Sequence, residues 1–395
     1  MATFVDFSGD TVLITANIGV DPYYLVLNSS GTTGYTLNRD TTVTSFAIST
    51  TLLSSQVQQT TLLAGSDPVS IFPQGAYTYI AEPGRSVIGN FQKSPPVLIQ
   101  DFGVLNPIYV VGVAGAPRVY ALGSDNSGNG MVTPLEIASN SPDTPFAVGK
   151  NPVYGVMTAD GKRAFIMNKG EGTVSVINSQ TNQLDVLPGG RTNPISVGAA
   201  PLWADFAPTR NELVVANAGD GTSPGSVSII SIPLCSATAL PNNPNCDPNN
   251  PVDSASFGTV LATVPVGINP VMVSVLQDGT RAYVANAGNP NLPCAATAVA
   301  GVSTVCSVSV VNLNTNTVSA TIIGLPAAEC SMSSMTPVLC GHPGYIAATV
   351  GSPAGKVYVT SPESNSMAII RTDTDTVSTT IPLQGKGMSV RVTAP

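Results

Sequence analysis

His342 is the only histidine among 395 residues, and that count alone removes most hydrolytic and metal chemistry. A histidine metal cluster needs several imidazoles, and a Ser-His-Asp relay would have to pass through this one ring. His342 precedes Pro343, where corresponding stretches carry Asn, as in Asn151-Pro152 and Asn269-Pro270, so it reads as a turn residue. Three carboxylates, Asp6, Asp205 and Asp67, lie in or beside apolar runs of strand length and could reach a shared cavity. A hard cation wants several converging oxygens, however, and the neighbouring runs offer mostly Val, Ile, Met, Ser and Ala. Asp373 and Asp375 flank Thr374 as Asn314 and Asn316 flank Thr315, which is turn chemistry. Trp203, the only tryptophan, reads as a packing residue. The Gly-rich stretches 123–130 and 219–225 lack the strand-to-helix context of a phosphate loop. The expectation is a chain without catalytic, cofactor-binding or metal-ligating residues, needing no cofactor.

Cysteine chemistry is the exception. The six cysteines fall into neighbouring pairs, Cys235 with Cys246, Cys294 with Cys306 and Cys330 with Cys340. Each pair brackets an insertion rich in Pro, Asn, Ala or Ser, and no C-x-x-C spacing suggests zinc. Three local disulfides are expected, each worth roughly 2–3 kcal/mol by loop closure. Such bridges persist in oxidising compartments, which predicts an extracellular or cell-surface protein. The net charge of −8, with only 15 Lys plus Arg, leaves no basic footprint for nucleic acid. No apolar run is long enough to span a bilayer, and no basic segment followed by an apolar core opens the chain. If secreted, the chain is expected to be a mature form.

The elements that would position these residues are announced by repetition. Ile14-Thr15-Ala16-Asn17, Phe165-Ile166-Met167-Asn168, Val214-Val215-Ala216-Asn217, Tyr283-Val284-Ala285-Asn286 and Tyr358-Val359-Thr360-Ser361 share one strand-like pattern. Tyr79-Ile80-Ala81-Glu82 and Tyr120-Ala121-Leu122-Gly123 follow it more loosely. Most have a Pro about sixteen residues upstream, at Pro68, Pro107, Pro152, Pro201, Pro270 and Pro343. The clearest unit, 269–323, reads as four antiparallel strands: 271–275, an Asp278-Gly279 turn, 281–286, then 307–312 and 317–322. That unit is a propeller blade. The predicted fold is all-β, a seven-bladed β-propeller of four-stranded antiparallel blades closed by the termini. Its units are approximately 1–66, 67–105, 106–150, 151–200, 201–268, 269–341 and 342–395, with Thr11–Asn17 as second strand of the first.

These repeats resemble the YVTN-type β-propeller family of bacterial and archaeal secreted or surface proteins, within the lactonase-like propeller superfamily. The resemblance spans nearly the whole chain and is strongest over 151–383. It implies a propeller fold and a surface or secreted setting, because the signature builds turns and strand packing rather than a site. The leading expectation is a non-enzymatic structural or adhesive protein. One alternative is a lactonase-like hydrolase, which would need Asp6, Asp205 and Arg391 to converge in the central channel. The other is a periplasmic protein-binding module.

Both ends compete for one ring position. Aligning Thr380–Leu383 on Thr263–Val266 sets Met388–Val392 against Val271–Val275, an innermost strand. Counting sixteen back from Asn17 makes residues 2–7 fit an innermost strand too. The expectation is that Met388, Val390 and Val392 enter the blade holding Thr11–Asn17. Thr3, Phe4, Val5 and Phe7 would then pair at an exposed blade edge, in the same molecule or a neighbour. Exchange between neighbours would build a homopolymeric filament or surface layer. The expected partner is therefore another copy or another surface protein.

Overall fold

The computed structural model describes residues 1–93, 95–233, 254–295, 298–323, 341–349 and 355–393. Seven four-stranded antiparallel sheets follow one another along the chain, at 22–61, 70–103, 109–147, 152–196, 201–268, 270–322 and 345–382. They are called blades 1 to 7. In blades 3 and 4 the fourth strand is broken into two short pieces that both pair with the third. Among the described residues there is no α-helix, only three single-turn 3-10 segments. No helix among the described residues is long and apolar enough to cross a membrane.

Each blade is buried on both faces, so its second and third strands read as nearly continuous apolar runs. Arg163–Asn168 and Glu212–Asn217 are buried at every position. Interblade cores form from facing strands, such as Phe165, Val174 and Val176 of blade 4 against Leu213, Val215 and Ile230 of blade 5. Arg163 enters this packing paired with Asp185 at 2.5 Å, both side chains being almost fully buried, and donates to the Lys162 carbonyl at 3.0 Å.

The Asn that ends the recurrent motif ties strands together. The Asn286 amide donates to the Ser307 and Ser309 hydroxyls at 3.1 and 2.9 Å. Asn168 does the same to Thr173 and Ser175, and Asn217 to Ser226 and Ser228. Gly267 packs onto Asn286 so closely that a Cβ there would lie 2.7 Å from its Cγ. The motif is thus a structural clasp.

Blade entry also has one mechanism. Asp21, Asp67, Asn106, Asn151, Ala200 and Asn269 precede their prolines in the left-handed region, with φ between 44° and 53°. Asx side chains tolerate that region, which accounts for their recurrence there. A register shift directly after the Pro follows in blades 1, 4, 5 and 6.

Blade 1 corrects the sequence reading. Its second strand is Thr33–Asn38, which ends Tyr35-Thr36-Leu37-Asn38 sixteen residues after Pro22. Asn38 makes the clasp to Thr42 and Thr44. Thr11–Ala16 instead pairs with Ala2–Asp6 as a separate two-stranded hairpin. Residues 2–6 are therefore engaged within their own molecule. Met388–Val392 makes no ladder with the strand at 11–16.

The hairpin stands at the seam between blades 7 and 1. Ala2, Phe4 and Ile14 pack on Phe46 and Leu25 of blade 1, while Val5 packs with Tyr358, Met367 and Ile369 of blade 7. Phe4 and Phe46 meet edge to face at 6.3 Å between ring centres. Lys356 of blade 7 holds the hairpin turn through the Phe7 carbonyl and the Asp10 carboxylate, both at 2.6 Å. Val390 and Val392 join the same blade 7 cluster, so both termini close the ring.

Candidate functional site

The residue two positions after each blade-opening Pro lies on the innermost strand of its blade, beside the channel. These are Tyr24, Ser70, Tyr109, Tyr154, Trp203, Met272 and Tyr345. Trp203 stacks on Tyr154 with centroids 3.8 Å apart, and Tyr154 meets Tyr109 at 4.9 Å. The Tyr24, Tyr109 and Tyr154 hydroxyls interact in series. Tyr24 belongs to blade 1 and Tyr109 to blade 3, so their contact skips blade 2, whose corresponding residue is the small Ser70. Burial pushes all three phenols well above the ordinary tyrosine range, which keeps them protonated. Trp203 also packs on the cores around blades 5, 6 and 7. It therefore packs against three blade-to-blade cores at once.

Asp205, four positions after Pro201, is partly accessible and accepts the Val275 and Phe206 amides, both at 2.8 Å. Burial pushes its carboxyl up to about 6 against the lowering effect of those amides. Asp6 is elsewhere, in the exposed hairpin turn, where it accepts the Ser8 and Gly9 amides and the Ser8 hydroxyl. Those bonds hold its pKa below the usual carboxylate value. Arg391, on the C-terminal segment, lies within electrostatic reach of Tyr24, Tyr109, Tyr154 and Tyr345. The hydrolase triad of Asp6, Asp205 and Arg391 is not brought together. Asp67 is an exposed turn residue before Pro68.

Cys294 and Cys306 form a disulfide, as the spacing predicts. Cys235, Cys246, Cys330 and Cys340 lie outside the described residues. One grouping is invisible in the sequence: His342 Nδ1 lies 3.4 and 3.5 Å from the two bridged sulfurs and against the Ala287 carbonyl. Its Nε2 is 3.8 Å from Glu363. Soft-metal binding needs thiolates, and here the sulfurs are bonded to each other. The bridge itself fits an oxidising compartment.

The other concave feature is a cavity of about 800 Å³ at the seam. The hairpin strand Ala2–Asp6, the first strand of blade 1, the C-terminal segment and Tyr358 and Met367 of blade 7 enclose it. Its walls are mainly apolar, with Phe4, Val5, Leu25, Phe46 and Val390 among them.

No protein-family model matches the chain, and no curated protein does so. Solved structures match in shape. The Kuenenia stuttgartiensis hydrazine synthase structure aligns at a TM-score of 0.56 and 15% identity, over 83% of this chain and 90% of that one. Apo AztD from Citrobacter koseri aligns at 0.56 and 12%, over 97% and 92%. A functionally unknown protein from Desulfotomaculum acetoxidans aligns at 0.52 and 15%, over 89% and 94%. At these identities the likeness is one of fold: this chain is a β-propeller of the shape those proteins share.

Proposed function

We propose that the protein is a non-enzymatic propeller of the cell exterior, a structural or adhesive subunit that works through protein–protein contact at its seam. The observation that carries this reading is the row of aromatic side chains on the innermost strands. Propeller chemistry needs an axial cavity with converging polar groups. Here five aromatic rings sit on those strands, and Asp205 is spent on main-chain amides.

Asp205 has a structural counterpart, which weakens a hydrolase reading further. Ser274 holds the same place in blade 6 and accepts the Ala348 amide of blade 7 at 3.0 Å. An interblade tie therefore explains the carboxylate. The Cys294–Cys306 bridge supports a location outside the cytoplasm. The seam supports association, because both chain ends meet there beside an apolar hollow. Self-association into a filament or surface layer is the form of contact this reading favours.

Negative-stain microscopy of protein purified from its native source tests the reading. Fibres, sheets or particles joined at one rim position are the expected result. Isolated discs that also hydrolyse lactone or ester substrates would reverse it.

A further inference from the structure

The N-terminal hairpin is the outer half of an eighth blade. Its register is Phe4 opposite Ile14, a bulge, then Val5 opposite Val12 and Asp6 opposite Thr11. Blade 6 pairs its third and fourth strands identically: Val310 opposite Ala320, a bulge, then Val311 opposite Val318 and Asn312 opposite Thr317. Blade 7 repeats this with Ile369–Thr379, a bulge, Ile370–Val377 and Arg371–Thr376. The turns agree as well. Asp10, Asn316 and Asp375 occupy one position with φ of 52°, 54° and 52°. The Ser8 amide bonds to Asp6 as the Asn314 amide bonds to Asn312.

The C-terminal segment supplies the inner strand of the same blade. With Met388–Val392 aligned on Val271–Val275, Val390 and Val392 correspond to Val273 and Val275. Val273 and Val275 pack toward the preceding blade 5, and Val390 and Val392 pack on the preceding blade 7. Arg391 then matches Ser274 and Asp205, four residues after their blade-opening prolines, and it lies within electrostatic reach of the channel tyrosines.

Among the described residues the third and fourth places hold paired strands, 388–392 takes the first place without a ladder, and no strand occupies the second. Two edges are left open by its absence. Ala2–Asp6 pairs only with Thr11–Ala16, whereas every other third strand pairs on both sides. Residues 389–393 are partly buried, with no backbone-to-backbone hydrogen bond among the described residues; the Val390 carbonyl accepts only the Arg391 guanidinium, at 2.8 Å. Partly buried main-chain groups without partners are costly, so such a position calls for a strand. The cavity of about 800 Å³ lies between these two edges.

From this geometry we infer that the seam is a receptor slot for one extended strand of another polypeptide, which completes the eighth blade by strand addition. The inference rests on the protein-contact reading above and names its partner. The repeat specifies the guest's chemistry, because seven second strands fill the same place elsewhere. It is a five- or six-residue segment with an aromatic or aliphatic residue, a β-branched or apolar residue, a small one and then Asn, as in Tyr283-Val284-Ala285-Asn286. Its backbone would pair with Ala2–Asp6 on one side and 389–393 on the other, and its Asn would provide the missing clasp. A folded second copy cannot donate one of its own second strands, since each is already paired on both edges.

The test uses the whole protein and a peptide copied from residues 279–288. Hydrogen exchange and thermal melts are compared with and without peptide. The controls are a scrambled peptide and one N-methylated at alternate amides. The expected result is about tenfold slower exchange confined to residues 2–6 and 389–393, with a higher Tm, for the native-order peptide alone. Equal effects from either control, or no protection at those residues with millimolar peptide, would overturn the slot. Protection by a fatty acid or detergent but not by the peptide would do the same and assign the hollow to a small apolar ligand. Native assemblies without peptide protection would remove the slot alone. Peptide protection on isolated discs would remove the assembly reading alone.

Discussion

The Asp205 carboxylate accepts the Val275 amide of the next blade at 2.8 Å, so one acidic side chain fastens two inner strands beside the channel. Burial raises its pKa to about 6, which means the folded protein holds this proton more tightly than the unfolded chain does. Its stabilising contribution is complete below the unfolded value near pH 4 and is lost as pH rises through about 6.

Asp205→Asn should therefore flatten part of the stability-against-pH curve. Between pH 4 and 7 the native protein should lose on the order of 2 kcal/mol relative to the variant. Urea midpoints for both proteins across that range measure the difference. Parallel curves would show that Asp205 does not titrate where its surroundings place it.

Asn286→Ala removes two buried hydrogen bonds to Ser307 and Ser309 and leaves both hydroxyls short of a donor. A loss of about 2–3 kcal/mol is expected. Gly267→Ala should also destabilise, because its Cβ would press on the same Asn286 side chain. The double variant should lose less than the sum, since both act on one clasp. Strict additivity in denaturant titrations would argue that the two sites are independent.

Arg163 and Asp185 form a buried pair at 2.5 Å, and Asn178 also donates to Asp185 at 3.2 Å. Arg163→Met strands the carboxylate and should cost about 3–5 kcal/mol. Replacing both, as Arg163→Met with Asp185→Leu, should recover most of that loss. Calorimetry on the three proteins decides it, and a double variant as unstable as the single would contradict the account.

Cys294 and Cys306 close a loop twelve residues apart within blade 6. Changing both to Ser should lower stability by about 3 kcal/mol and leave the propeller folded, because the loop lies outside the four-stranded sheet. Non-reducing peptide mapping should recover the 294–306 bridge from native protein. Free thiols at these positions in native material would remove the support for an oxidising compartment.

The propeller was legible because each blade repeats a Pro, an apolar first strand and an apolar second strand, which ends in Asn in blades 1, 4, 5 and 6, and local burial demands that pattern wherever it occurs. The sequence also placed Cys294 near Cys306 and set Asp373 and Asp375 among turn residues, whereas the packing of His342 on the 294–306 bridge is a tertiary contact. What misled was local sameness. Ile14-Thr15-Ala16-Asn17 has the alternation of a second strand yet pairs in a separate two-stranded hairpin, while Tyr35-Thr36-Leu37-Asn38 carried the real motif. Period-two alternation reports that a strand has two faces and says nothing of which neighbours it has. The aromatic ring shows the same limit. Tyr24, Tyr109, Tyr154 and Trp203 sit two residues after a Pro in the sequence, but only closure of the ring turns them toward one axis. Residues 389–393 mark the boundary most sharply. Their sequence matches an innermost strand, yet a strand exists only when its amides and carbonyls find partners, and those partners come from tertiary structure.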